Sequence, residues 1–141
     1  GTLYEEPANR FVADFIGKVN LLDASVRAHN DGEISVDIAG LGGMTLPFEG
    51  IAAGNVTVAV RPEKIALSKR EPRAKNRMVT KGQVYEWAYY GDISVMYVDT
   101  QGGLRLSVNV PNVARTTVDT IDIGDEVWLS FAPGDTVVMT D

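Results

Sequence analysis

The chain has 141 residues, 45% of them hydrophobic and 23% charged, which is the balance of an ordinary globular protein with enough chain to bury a core. The formal net charge of −6 argues against a general nucleic-acid binder, because such proteins present a broad basic face. No apolar run reaches the roughly 18 residues that a membrane-spanning helix needs. The absence of cysteine excludes a disulfide framework and thiolate metal sites, and it suits a cytoplasmic protein.

The first predicted element is a short amphipathic helix over residues 7–16. Pro7 fits the first helical position, and Gly17 fits the residue after the last turn. An apolar stripe with helical spacing lies between them, formed by Ala8, Phe11, Val12, Phe15 and Ile16. Its two phenylalanines require a surface to pack against.

Everything after this helix is predicted to be β-structure. Apolar and polar residues alternate along 22–28 and 34–38, on either side of the turn His29–Gly32, which is typical of a hairpin. A longer strand is predicted to carry Tyr85, Trp87 and Tyr89 on one face. Further strands follow at 93–97 and 104–110, and 111–123 is predicted to be a loop. Short strands separated by glycine turns indicate a small barrel or a pair of barrels.

A repeated β unit gives the chain its internal organisation. VTVAVRPEKIAL, beginning at Val56, is echoed by VWLSFAPGDTVV, beginning at Val127, and each reads as a strand, a proline turn and a second short strand. The elements Gly17-Lys18-Val19 and Gly82-Gln83-Val84 match upstream of the two copies. The repeat predicts two similar lobes, about 18–68 and 78–141, joined by a basic linker at 69–77.

The positive charge is concentrated in one stretch. Residues 61–81 hold eight of the 13 Lys and Arg but only two of the 19 Asp and Glu, so the remainder has five basic and 17 acidic residues and a net charge of −12. We interpret 69–77 as a solvated connecting loop. The alternative is a docking patch for an acidic partner or a membrane surface.

Motifs for chemistry are missing from the sequence. His29 is the only histidine, and a surface turn residue is its favoured interpretation because one histidine without cysteine does not make a familiar zinc site. Neither a phosphate-binding G-x-x-x-x-G-K-[ST] loop nor a G-x-S-x-G nucleophile motif occurs. The sequence therefore predicts no catalytic, cofactor or metal site in this chain. Tyr85, Trp87 and Tyr89 suggest base stacking only weakly, and core packing or a protein interface is preferred.

Three stretches resemble the C-terminal region of ATP-binding-cassette (ABC) importer ATPases, in particular the spermidine/putrescine (polyamine) branch. They are LYEEPANRFVADFIGKVNLL at 3–22, VAVRPEKIALS at 58–68 and YYGDISVMYV at 89–98. The resemblance implies an all-β TOBE domain, an oligomer-binding-fold (OB)-like barrel of the TOBE/MOP type, with residues 1–17 as the last helix of the preceding ATPase domain. It also implies that the chain is a non-enzymatic piece of a larger subunit, whose missing part would bind ATP and magnesium.

In that family such domains pair two ATPase subunits and receive regulatory signals. The resemblance therefore implies a homodimer attached to transporter membrane subunits, peripheral at the cytoplasmic face of the membrane, with a small-molecule effector as a further possible partner and no nucleic acid. The interface candidates are Phe11, Phe15, Arg61, Pro62, Glu63, Tyr85, Trp87 and Tyr89.

Two questions stay open at this point. The Arg61–Glu63 turn has a structural interpretation, in which proline fixes the turn and Arg61 pairs with Glu63, and a functional one, in which it contacts another domain or subunit. The whole chain also has an alternative function as a free-standing barrel that binds a small oxyanion or a polyamine. A single-stranded nucleic-acid binder is the third hypothesis.

Overall fold

A computed structural model describes residues 19–111 and 121–140, and within them the chain forms ten strands and two short 3-10 turns. The strands are β1 (Asn20–Asn30), β2 (Glu33–Ile38), β3 (Gly42–Pro47), β4 (Asn55–Val60), β5 (Ala66–Ser68), β6 (Met78–Tyr90), β7 (Ile93–Thr100), β8 (Arg105–Pro111), β9 (Glu126–Phe131) and β10 (Thr136–Met139). The 3-10 turns are Pro62–Lys64 and Pro133–Asp135. The predicted helix, with Phe11 and Phe15, lies outside the described residues.

The chain divides into two compact units. The first contains residues up to Arg61 together with those from Ala132 onward, and its five strands are all antiparallel in the order β10-β4-β1-β2-β3. The hairpin predicted around 29–32 is present as β1 and β2. Buried Asn20, at the start of β1, donates its Nδ2 hydrogen to the Val60 carbonyl at 3.2 Å.

The second unit spans Pro62–Phe131, and its antiparallel sheet has the order β5-β9-β6-β7-β8. β6 is the central strand of this sheet and pairs with β9 along its first half and with β7 along its second. Each unit therefore has the antiparallel architecture that the glycine-separated strand pattern predicts.

Both copies of the repeat form the same three elements, but each sends its last strand into the other sheet. β5 follows β4 in the chain and pairs with β9, whereas β10 follows β9 and pairs with β4. The predicted lobes, 18–68 and 78–141, therefore differ from the units at both ends. Residues 69–77 connect β5 to β6 inside the second unit, so they do not link the two units.

Alternating apolar residues fill the interior of each unit. In the first unit the fully buried side chains include Ile34, Ile38 and Leu46, and in the second they include Met96, Leu106 and Phe131. Full burial of a side chain of this size contributes about 1.5–3 kcal/mol to the free energy of folding. Repetition of that contribution along every strand stabilises the two sheets.

The described ranges 19–111 and 121–140 contain no helix long and apolar enough to cross a membrane. In the same ranges no group of three or more histidine, cysteine, aspartate or glutamate side chains is arranged to hold a metal ion.

Candidate interaction surfaces

The Arg61–Glu63 turn is built by its proline. Pro62 is buried at the start of the 3-10 turn, and the Ile65 N–H donates to the Pro62 carbonyl at 3.4 Å. Arg61 and Glu63 are both exposed, and neither has an ion-pair partner among the described residues. The predicted local pairing of Arg61 with Glu63 is therefore wrong, because the two side chains point into solvent instead of contacting each other.

The second copy of the repeat shows what a side chain contributes when it does stabilise this turn. Asp135 Oδ2 accepts a hydrogen bond from the Ala132 N–H at 2.9 Å, and the Asp135 N–H donates to the Ala132 carbonyl, also at 2.9 Å. Lys64 occupies the corresponding position of the first copy and makes no such bond. The first turn thus forms without help from its charged side chains, which leaves those of Arg61 and Glu63 available for contacts elsewhere.

The three aromatic residues predicted on one face of β6 lie on two faces. A β-bulge between Val84 and Glu86 shifts the register of β6 against β7. Beyond the bulge Trp87 pairs with Met96, which belongs to the buried face of the sheet, whereas Tyr85 lies over Arg105 on the opposite face. Strict alternation predicts a single face because it has no place for the extra residue of a bulge.

Trp87 is held inside the second unit. Its ring stacks on Tyr89 with the ring centroids 6.5 Å apart and the planes at 14°, and its Nε1 hydrogen bonds to the Ile121 carbonyl at 3.3 Å. The indole is only partly exposed. These contacts favour a packing role for Trp87.

On the other face, Tyr85 takes part in a charged cluster. The Arg105 guanidinium carbon lies 3.6 Å from the centroid of the Tyr85 ring, a cation–π contact. The same guanidinium donates to both carboxylate oxygens of Asp99, at 2.6 and 3.1 Å. This hydrogen bonding holds the pKa of Asp99 below its usual range and raises that of Arg105. Arg105 therefore covers one face of the Tyr85 ring.

The exposed aromatic surface lies at the end of the β6–β7 hairpin, and we name it the hairpin tip: Tyr89, Tyr90 and Ile93. These side chains are 60%, 49% and 38% exposed. Burial, the Tyr90 hydroxyl and the Glu86 charge together raise the pKa of the adjacent Tyr97. Ile93 and Tyr97 lie on the strand predicted at 93–97, but neither they nor Tyr90 were among the predicted interface candidates. The apolar residues on both sides of the Gly91-Asp92 turn were the available signal.

A cleft of about 390 Å³ lies in the first unit, along β1 and β4. Its lining includes Asp23, Ser25, Asn55 and Thr57, and it contains one carboxylate and no lysine or arginine. A bound oxyanion needs positive or hydrogen-donating partners, so this lining fits a cationic or neutral polar ligand better than an oxyanion. Sequence reasoning missed this cleft, since its residues belong to two strands that are separated along the chain.

His29 is exposed, as predicted, but it lies within β1 opposite Ile34 and not in the turn itself. Its Nε2 accepts a hydrogen bond from the Ala52 N–H at 3.1 Å, and its ring lies against Phe48 with the centroids 5.8 Å apart. The imidazole therefore anchors the loop between β3 and β4.

Comparison with known proteins now defines the family. The TOBE domain model matches residues 58–139, which is more than half of the chain. The chain belongs to the TOBE domain family. Together with the two antiparallel five-stranded sheets, this confirms the all-β, OB-like fold that the resemblance implied.

The chain is also similar to polyamine importer ATP-binding proteins. It is 34% identical over 131 residues to the spermidine/putrescine import ATP-binding protein PotA of Nitrosomonas europaea, covering 92% of this chain and 36% of that protein. It is 33% identical over 141 residues to the putrescine transport ATP-binding protein PotG of Escherichia coli K12, covering 98% of this chain and 37% of that protein. The chain thus spans about a third of the length of these relatives and is homologous to their C-terminal part.

One solved structure with the same fold is the cytoplasmic molybdate-binding protein ModG, with molybdate bound. The TM-score is 0.71, and the match covers 86% of this chain and 96% of that one. The sequence identity is 18%, so the likeness establishes the fold alone.

Proposed function

We propose that this chain is the non-catalytic regulatory and dimerisation domain of a polyamine importer ATPase subunit. The observation that carries the proposal is the alignment of 92% of the chain with a spermidine/putrescine import ATP-binding protein. The larger subunit would bind ATP and magnesium and contact the membrane subunits of a transporter at the cytoplasmic face of the membrane. This chain would contribute protein contacts to that assembly.

The mechanism is a shift between two states of the ATPase pair. A domain that joins two subunits changes their opening equilibrium only when its contacts differ between the open and the closed state. Arg61 and Glu63 suit such a contact because the turn that carries them does not use their charges. The hairpin tip is the second candidate surface because it exposes three large apolar side chains.

The first test is an immunoblot of fractionated cells of the source organism with an antibody raised against this chain. The proposal requires a band larger than the chain by at least one domain, about 100–200 residues, in the membrane fraction. A soluble band at the 15.2 kDa of the chain itself would refute it.

The cleft along β1 and β4 supports a second candidate function, the binding of a small polyamine cation. Its single carboxylate, Asp23, and its polar neighbours suit an ammonium group. A saturable ligand stabilises the folded state by RT ln(1 + [L]/Kd), so spermidine would raise the melting temperature of the chain with a dose dependence that molybdate lacks. If spermidine raises the melting temperature of an Asp23→Asn variant as much as that of the wild type, the cleft is excluded as the binding site.

A further inference from the structure

The lysine and arginine side chains of the described residues fall into two groups. Those of the first group have partners within their own unit: Arg27 with Asp37 at 3.0 Å, Lys81 with Glu126 at 3.5 Å, Arg105 with Asp99 at 2.6 Å, and Arg77 with Ser130 at 3.2 Å. The second group is exposed, and over 19–111 and 121–140 its side chains have no ion pair or hydrogen bond: Arg61, Lys64, Lys69, Arg70, Arg73 and Lys75.

Four of these unpaired cations lie on one loop, residues 69–76, which we name the basic loop. The Ser68 hydroxyl holds its beginning, since it donates to the Arg70 carbonyl at 2.7 Å and accepts from the Arg70 N–H at 3.1 Å. At its other end Arg77 donates to the Ser130 hydroxyl and, at 3.1 Å, to the Ser130 carbonyl. The basic loop is therefore anchored on both sides and directs its cations to solvent.

The charge of the rest of the chain favours a compact acidic partner over an extended polyanion. Outside residues 61–81 the net charge is −12. A membrane surface or a nucleic acid would be repelled by that body wherever it came within the Debye length, about 8 Å at physiological ionic strength. A discrete acidic surface of a protein contacts the basic loop alone, so it meets less of this repulsion than an extended polyanion does, even when the partner is itself acidic.

This chain itself carries such a surface, which we name the acidic turn: Asp31, Glu33 and Glu49. The Phe48 N–H donates to the Gly32 carbonyl at 2.9 Å, and Glu49 Oε1 lies 3.6 Å from where a Cβ on Gly32 would be. The turn therefore gathers three exposed carboxylates around Gly32. In the described part of the chain none of them has a cationic partner.

We propose that the basic loop docks on the acidic turn of a second copy of this chain. The inference rests on the proposed function, which requires two copies to meet, and it names the surfaces through which they do so. In a dimer with two-fold symmetry the contact is made twice. Exposed ion pairs are individually weak, so the contact is salt-sensitive in the separate chain and strengthened when a larger assembly raises its effective concentration.

The test is sedimentation equilibrium of the 141-residue chain at low and high salt, with two charge-reversal variants and their combination. The loop variant is Lys69→Glu, Arg70→Glu and Arg73→Glu, and the turn variant is Asp31→Lys, Glu33→Lys and Glu49→Lys. Each variant should weaken self-association about tenfold or more, because it replaces several attractive pairs by repulsive ones. The chain that carries both sets should recover the association, since the pairs are restored with reversed sign.

Asp122→Lys serves as the control, because it changes an exposed charge outside both surfaces and outside the hairpin tip and should leave the association unchanged. The docking inference would be overturned if self-association were the same at low and high salt and were unchanged in both charge-reversal variants. A combined variant that fails to recover, or a wild-type chain that stays monomeric at low salt, would overturn it too. The immunoblot measures the size and cell fraction of the protein, so its outcome does not depend on these results and the proposed function is tested separately.

Sedimentation with phosphatidylglycerol vesicles completes the experiment. Wild-type chain should remain in the supernatant. If the vesicles capture the wild type and release the loop variant, the partner of the basic loop is a lipid surface and the proposal is overturned.

Discussion

The backbone oxygen of Asp99 lies 2.6 Å from the position that a Cβ would take on Gly82, and Val98 Cγ1 lies equally close to it. Gly82 pairs with Thr100 on one neighbouring strand and with Val127 on the other. A side chain at position 82 is therefore excluded by the neighbouring strand β7, and glycine is needed here because there is no space for a Cβ.

Gly82→Ala should destabilise the second unit by about 1–3 kcal/mol, the usual cost of forcing an extra methyl group into a packed core. Nothing lies within 4 Å of a Cβ built on Gly134, so Gly134→Ala is the control and should change stability little. Urea unfolding of both variants measures the difference. Equal stabilities would show that β6 and β7 can move apart freely.

Asp135→Ala should destabilise the turn at Pro133 by about 0.5–2 kcal/mol, because the Ala132 N–H loses its carboxylate acceptor. Lys64→Ala changes the matching position of the first copy, where no such bond exists, and should be neutral. Thermal unfolding of the two variants compares the turns directly. A loss of stability in Lys64→Ala would contradict the difference between the copies.

Arg61→Glu combined with Glu63→Lys should leave the chain folded, since the structure gives neither charge a partner among the described residues. If the turn contacts a second subunit, self-association falls while the melting temperature stays constant. Circular dichroism measures folding and the melting temperature, and sedimentation measures self-association. If this double variant fails to fold, the turn has a structural role instead.

The Asp99–Arg105 pair should give stability a defined dependence on pH. Because the folded pKa of Asp99 lies below its ordinary value, the pair stabilises the fold above about pH 3.9 and loses that contribution as the pH falls through the folded pKa. Arg105→Gln should therefore raise the pKa of Asp99 in a carboxyl NMR titration. An unchanged titration would show that Arg105 does not hold the carboxylate in solution.

The Ala52 amide should exchange slowly with solvent because it donates to His29 Nε2. His29→Leu removes the acceptor and should speed exchange at Ala52 by about tenfold, the equivalent of one net hydrogen bond. Hydrogen exchange followed by NMR measures this, and the Val26 N–H, which donates to Gly54, is an internal reference. Unchanged protection would mean that the loop is held by its other contacts.

Local patterns in the sequence predicted most of the strands. The turn at 29–32 and the alternation on either side of it gave β1 and β2, and Gly91-Asp92 gave the turn between β6 and β7. Such signals work because they depend on residues that are neighbours along the chain. The faces of the aromatic residues of β6 were harder to predict. The β-bulge at Tyr85 places this residue on the face opposite to that of Trp87.

The candidate surfaces also divide into those that the sequence predicted and those that only the structure revealed. The sequence alone identified the Pro62 turn and the concentration of basic residues at 69–77, because both are visible as composition. It did not reveal the cleft at Asp23 or the Arg105–Asp99 cluster on Tyr85, which bring together residues from different strands. Such sites are fixed by strand register, and register depends on partners that are far apart in sequence.

The sequence by itself determined the β class, the repeat and the family, because alternation, proline turns and motif spacing are local properties. Only the tertiary structure decided where the last strand of each repeat pairs. β5 and β10 are short strands that gain their hydrogen bonds from β9 and β4, each of which lies far from its partner in sequence. Strands this short carry little local information about their partner, so their pairing is decided only when the distant strands of each sheet come together.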